Sequence, residues 1–248
     1  MEKKTNMKLF WSVLVAILVV AVILRIVLFL NKDKEIVDNN TKEIVDLMEA
    51  NSSAVVIASS YRAQKIREID KNDIYLGSLE APLQVIVYED YSDKINASYR
   101  ESIDTLKDEF SDELVIAFRP FYISSRGEAP EISQALWCAN DQDKFYELRK
   151  KIYERVEQDS FSLMELNSLA SELEFDTKQF SDCVETFKYR DKVNALALEA
   201  KTFAVTGAPT TFIANSLIIG AREWEDVVDS NNELVEGLGT IVSKYLEN

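Results

Sequence analysis

Leu83-Gln-Val-Ile-Val-Tyr88 runs into Glu89-Asp90-Tyr91-Ser92 and then into Asp93-Lys94-Ile95-Asn96. The first six residues are dense in β-branched side chains. Pro82 bounds them on one side and the carboxylates Glu89 and Asp90 on the other, which reads as a strand buried on both faces. From residue 93 to 110, Ile95, Tyr99, Ile103, Leu106 and Phe110 recur at helical spacing. Leu114-Val-Ile-Ala-Phe118 is a second apolar run, halted near Pro120. Strand, helix and strand in so short a span predict a right-handed βαβ unit and an α/β fold.

Downstream, residues 130–205 carry three sets of apolar positions at helical spacing: Ile132 to Ile152, Leu163 to Leu173, and Val193 to Phe203. This predicts a long helical insertion. Thr206-Gly-Ala-Pro-Thr210 then punctuates the chain, and two short strands follow at 211–214 and 217–219, turned at Asn215-Ser216. Residues 223–246 read as a closing helix, with Gly237 and Gly239 placed to kink or divide it.

Upstream, residues 9–30 are apolar except for Ser12 and Arg25. As a helix they would span about 33 Å, the thickness of a bilayer's hydrocarbon core. Arg25 lies near one end, where its side chain can snorkel, and Trp11 lies at the other edge, where an indole prefers the interface. A cleaved signal peptide is the rival reading. It requires a shorter apolar stretch and a small-residue cleavage site, whereas here Asn31-Lys-Asp-Lys-Glu35 follows directly. The expected layout is a cytoplasmic tail (1–8), a single transmembrane anchor (9–30), a charged, partly helical juxtamembrane spacer (31–73) and an extracytoplasmic domain (74–248). Lysines flank both ends of the anchor, so orientation rests on the short amino-terminal tail rather than on charge.

Composition excludes several chemistries. The 248 residues contain no histidine, which removes Ser-His-Asp and Cys-His catalysis and histidine metal ligands. Two cysteines, Cys138 and Cys183, cannot form a four-cysteine metal site, and neither metal nor cofactor is expected. A net charge of −15 disfavours nucleic acid as a partner. Asn51-Ser-Ser and Asn96-Ala-Ser match a glycosylation pattern that has meaning only in a glycosylating host.

Four stretches, in order, resemble the DsbA-like thioredoxin-fold proteins. Residues 73–91, with Gly77-Ser-Leu-Glu-Ala81-Pro82, a strand and Asp90-Tyr91, look like the family's opening. Ala135-Leu-Trp-Cys138 through Phe145-Tyr-Glu and Phe180-Ser-Asp-Cys183 look like its helical insertion, and Val205-Thr-Gly207-Ala208-Pro209-Thr210 resembles its cis-proline loop. The resemblance covers roughly residues 73–247. It implies a thioredoxin-like fold with a helical insertion, here preceded by the transmembrane helix.

One departure bears on function. The family's Cys-x-x-Cys falls on Asp93, Lys94, Ile95 and Asn96, so both thiols of the exchange reaction are missing. Asp93 could cap the helix and keep a negative charge where the thiolate would stand. A buried acid that many members carry six residues before the first cysteine falls on Val87. The expectation is therefore a redox-inactive module that binds extended polypeptide or a membrane-associated protein through Gly207, Ala208, Pro209 and Thr210. The alternative is a thiol–disulfide oxidoreductase that uses Cys138 and Cys183 or a partner's thiol. For those two cysteines three states stay open: a bridge stapling the insertion, as in some relatives; two buried thiols; or a catalytic pair. Glu89-Asp90 as a glycosidase-like carboxylate pair is set against a structural role for Asp90, which matches the family's aspartate.

Overall fold

In the computed structural model, residues 66–123, 128–214 and 216–247 are described. The anchor expected at 9–30 and the chain around it up to residue 65 lie outside the described residues. Among the described residues no helix is long and apolar enough to cross a membrane.

Five strands form the sheet: β1 (Ile74–Gly77), β2 (Leu83–Glu89), β3 (Leu114–Pro120), β4 (Thr210–Ile213) and β5 (Ser216–Ile219), in the order β1-β3-β2-β4-β5. β2 and β3 are parallel, with Val85 opposite Ile116 and Val87 opposite Phe118. Helix α1 (Lys94–Glu109) joins them, as the βαβ reading requires. β1 runs antiparallel to β3, and β4 antiparallel to both β2 and β5. Between β3 and β4 the insertion contributes α2 (Ala129–Asn140), α3 (Phe145–Glu157), a 3-10 turn (Leu163–Glu165), α4 (Leu166–Glu172), α5 (Thr177–Glu185) and α6 (Arg190–Thr202).

The two faces of the sheet follow from alternation along its central strands. Val85, Val87, Leu114, Ile116 and Phe118 enter the larger core with Tyr99, Ile103 and Leu106 of α1 and the apolar side of the insertion. Ile86, Tyr88, Val115 and Ala117 enter the second core, where Ile66, Ile69, Ala200 and Phe203 cover them. Some of the stretch expected as spacer thus packs on the sheet. A buried charge network fixes it there. The Asp73 carboxylate accepts from Arg119 Nε and Nη2 at 2.9 Å each and from Arg67 Nη2 at 2.7 Å, while Arg119 Nη2 also donates to the Arg67 carbonyl at 3.0 Å. Burial works against the charged form of Asp73, but the hydrogen bonds and charges of Arg119 and then Arg67 outweigh it and hold the carboxyl below its ordinary pKa.

Two differences from expectation have plain causes. β1 is a four-residue edge strand, too short for alternation to reveal. It ends at Gly77 with φ +92°, where a Cβ would lie 2.3 Å from the Leu114 carbonyl oxygen, so this turn requires glycine. The closing helix expected at 223–246 is correct only over its final residues. Helix α7 is Leu238–Leu246, and before it stands a small hairpin of β6 (Val227–Val228) and β7 (Leu234–Val235). Asp229 makes the turn by accepting from the Asn231 and Glu233 amides at 2.8 and 2.9 Å. Asp226 accepts from the Gly237 amide at 2.7 Å, and Gly239 donates to the Trp224 carbonyl at 3.1 Å. β-branched Val227-Val228 followed by Asp-Ser-Asn-Asn is hairpin chemistry, which outweighs the helical spacing.

Candidate functional site

β2 ends beside the start of β4, because the two strands are antiparallel with Tyr88 opposite Thr210. The loop that leaves β2 (residues 90–93) and the loop that enters β4 (residues 207–209) therefore share one end of the sheet. All four degenerate motif positions and the proline loop meet there.

The β2–α1 junction is closed by side chains. Asp90 accepts from the Ser92 amide at 3.0 Å and its hydroxyl at 2.7 Å, forming the turn. Asp93 is the N-cap of α1, with extended φ −105° and ψ 134°. Its carboxylate accepts from the Ile95 amide at 2.9 Å, the Asn96 amide at 3.2 Å and Asn96 Nδ2 at 3.0 Å. Asn96 is buried, and its Oδ1 accepts from the Asp90 amide at 3.1 Å. The first and fourth motif positions are thus a hydrogen-bonded carboxylate–amide pair. This engaged side chain leaves no room for a glycan on Asn96. Lys94 reaches out to Asp159 at 2.5 Å, and Ile95 is 57% exposed.

Across from this pair, the Ala208–Pro209 bond is cis. Thr210 donates its hydroxyl to the Gly207 carbonyl at 2.8 Å, and Gly220 donates to the Pro209 carbonyl at 2.9 Å. No hydrogen bond among the described residues engages the backbone of Ala208. A Cβ added at Gly207 would meet nothing within 4 Å, so the loop opens to solvent. Thr211, buried behind it, pairs its hydroxyl with Tyr99 of α1 at 3.0 Å, which ties the helix to β4.

Val87 is buried and apolar, and no acid stands at that position. The buried acid of this strand is Glu89, on the same face two residues on. Arg149 of α3 grips it with Nε–Oε2 at 2.9 Å and Nη2–Oε1 at 2.5 Å. Arg149 lies over the rings of Phe118 at 4.8 Å and Tyr153 at 5.1 Å, and both charged side chains are fully buried. Burial, and after it the Glu89 charge, pushes the Tyr91 and Tyr153 phenols well above their ordinary pKa. Sequence reasoning assigns no role to this pair. Its one signal is Arg149 itself, on the apolar stripe of Phe145, Leu148, Ile152, Tyr153 and Val156.

Cys138 on α2 and Cys183 on α5 form a disulfide, with Sγ–Sγ 2.02 Å and Cα–Cα 5.9 Å. Of the three states open for them, the bridge is the one found. The surface cleft that Cys183 lines is formed by residues of the insertion, Asp141, Asp176, Asp182 and Lys188 among them, and by no residue of the motif or the proline loop. Among the described residues no three acidic or cysteine side chains converge as metal ligands.

A βαβ unit, an antiparallel β-hairpin entered through a cis-proline loop, and a capped helix facing that loop define a thioredoxin-fold protein. Residues 70–230 match the sequence profile described as thioredoxin. The chain belongs to the thioredoxin family, with a DsbA-like arrangement of its insertion. Solved structures with the same fold include the thiol-disulfide exchange protein α-DsbA2 of Wolbachia pipientis (17% identity, 76% of this chain and 92% of that one, TM-score 0.58). Oxidised BdbD of Bacillus subtilis is similar at 14% identity over 72% of this chain and 95% of that one, TM-score 0.59. Wolbachia pipientis α-DsbA1 is similar at 17% identity over 75% and 96%, TM-score 0.56. No curated protein matches the sequence.

Proposed function

We propose that this chain is a membrane-anchored, extracytoplasmic and redox-inactive thioredoxin-fold module that binds extended polypeptide, either a client segment or a membrane-associated partner. One juxtaposition carries the reading. Where dithiol chemistry would take place, the Asp93 carboxylate and Asn96 amide bond to each other, and beside them Ala208 keeps its backbone N–H and C=O unengaged. A carboxylate and an amide cannot form or accept a disulfide. A backbone at the start of a strand with no hydrogen-bond partner among the described residues can still receive an extended segment by main-chain hydrogen bonding. Exposed Ile95, and Ile219 next to the loop with 65% exposure, offer apolar contact on either side. The bridge within the insertion favours a staple over catalysis by Cys138 and Cys183. Residues 9–30 would hold the module at the bilayer, with 1–8 cytoplasmic and 31–73 leading to the domain.

Three measurements test this. Insulin reduction by the full-length chain is expected to equal that of a Cys138→Ser/Cys183→Ser variant; activity that vanishes with those substitutions would favour the oxidoreductase instead. Pull-down with the anchored full-length chain is expected to retain a partner that is lost on Gly207→Trp. That substitution enters open space and so covers the loop without disturbing the core. Undiminished capture would remove the loop from recognition. Protease protection in sealed membranes reports the orientation.

A further inference from the structure

The hairpin at residues 221–236 is anchored at its base and carries an apolar pair beside its polar turn. Trp224 packs on Phe110 with ring centroids 6.2 Å apart, and its indole lies so close to Gly239 that a Cβ there would come within 2.9 Å of the ring. The Leu238 amide donates to the Glu223 carbonyl at 2.8 Å, and Asp226 caps the Gly237 amide. A two-stranded ribbon is marginal by itself, and these anchors supply what its own ladder cannot.

On this ribbon Val228 and Leu234 stand directly opposite each other, so both side chains project from the same face. They are 62% and 66% exposed. An open aliphatic pair on one face of an anchored ribbon is available for contact. The charge around it is one-sided. Between Ala221 and Gly237 the chain carries Glu223, Glu225, Asp226, Asp229, Glu233 and Glu236 against the single cation Arg222. Asp226 and Asp229 are spent on backbone amides, and Glu236 on Lys244. The carboxylates of Glu223, Glu225 and Glu233 have no side-chain or backbone partner among the described residues.

We propose that this hairpin is a second docking surface, separate from the proline loop, and that its occupant is an extended cationic polypeptide segment with interspersed aliphatic residues. The aliphatic pair supplies apolar contact, the three unspent carboxylates select lysine or arginine, and the free outer edges of β6 and β7 offer main-chain hydrogen bonds. The same charges argue against the other occupants. A second copy would bring an identical acidic hairpin and an overall charge of −15, and anionic lipid headgroups would be repelled.

The test uses the full-length chain in phosphatidylcholine nanodiscs and a fluorescent peptide of alternating lysine and leucine, with an alternating glutamate–leucine peptide as control. Empty nanodiscs provide the blank. The lysine peptide is expected to bind, to weaken as salt rises, and to protect the amides of Val228 and Leu234 from hydrogen exchange. Val228→Ser/Leu234→Ser is expected to weaken binding roughly tenfold, the usual scale for truncating central apolar contacts. Glu225→Lys/Glu233→Lys, which leaves the aliphatic pair in place, is expected to weaken it comparably and to flatten the salt dependence. Equal binding of the acidic peptide, affinities within twofold for both double variants, or protection confined to residues 207–210 would overturn the proposal. Protection of the hairpin by the nanodisc alone would assign it to lipid and overturn it as well.

Discussion

If only sulfur separates this chain from a working redox protein, then Asp93→Cys/Asn96→Cys restores the chemistry. The two side chains already touch, with Asp93 Oδ1 and Asn96 Nδ2 3.0 Å apart across the first turn of α1, so two thiols placed there fall within bridging reach. The thiol introduced at position 93 would meet the Ile95 and Asn96 amides that now bond the carboxylate. A helix N-terminus favours a charge by about 0.3–1 kcal/mol and up to about 2 in good geometry. At about 1.4 kcal/mol per unit, the thiol pKa should fall by roughly 0.2 to 0.7 units, and by up to about 1.4 in good geometry, below the ordinary 8.5 or so. Stability moves the other way. Loss of the cap costs about 1 kcal/mol, and the Asp90 amide, left without its Asn96 acceptor, adds about 1 kcal/mol or more. The reduced variant is therefore expected to be about 2 kcal/mol less stable than the parent chain. Thiolate absorbance against pH, urea unfolding and insulin reduction read the three quantities on the full-length chain. Catalysis is expected from the double cysteine variant and not from Asp93→Ser/Asn96→Ser. Failure of the new pair to close, or a thiol pKa at or above the ordinary value, would refute the idea that Asp93 occupies the nucleophile's place.

Three further outcomes follow from the buried charges and the bridge. Glu89→Leu or Arg149→Met alone should cost about 3–5 kcal/mol by urea unfolding, because each strands a buried partner. Glu89→Leu/Arg149→Met together should cost far less than the two singles combined, and a double loss equal to their sum would show that the pair is not coupled. Asp73 is depressed in the fold, so its contribution is complete above the unfolded carboxyl value of about 3.9 and fades as pH falls below it. Thermal melts at neutral and strongly acid pH should differ more for the parent chain than for Asp73→Asn. Removing the bridge with Cys138→Ser/Cys183→Ser opens a 45-residue separation and should lower stability by about 4 kcal/mol in denaturant titrations, a loss that dithiothreitol reproduces in the parent chain.

The sheet centre and the βαβ unit are readable because β2 and β3 are buried on both faces and carry unbroken apolar runs. The insertion is readable from its helical spacing and from the resemblance carried by Cys138, Cys183 and Pro209. What escapes is set by tertiary partners. Gly77 announces a turn, but β1 is defined only by its pairing with β3. Glu89 reads as the polar end of a strand, since nothing local says that an arginine sixty residues later will neutralise it. The 221–236 hairpin reads as helix because its valines and leucine fit both periods, and the deciding contacts run from Trp224 and Asp226 to residues 237–239. At the site, the sequence places Asp93 as a cap, and the geometry adds that Asn96 completes it.

The Glu89–Arg149 grip also governs motion. It joins the sheet, through β2, to the helical insertion, through α3. Swinging one against the other would pull opposite charges apart in a dry interior before any apolar area is uncovered, so resistance is steepest over the first ångström of opening. The pair thereby opposes a hinge at this seam. On the proposed function, a segment received by the proline loop would meet a jaw already set in position, and its affinity would go into contact rather than into closing the jaw.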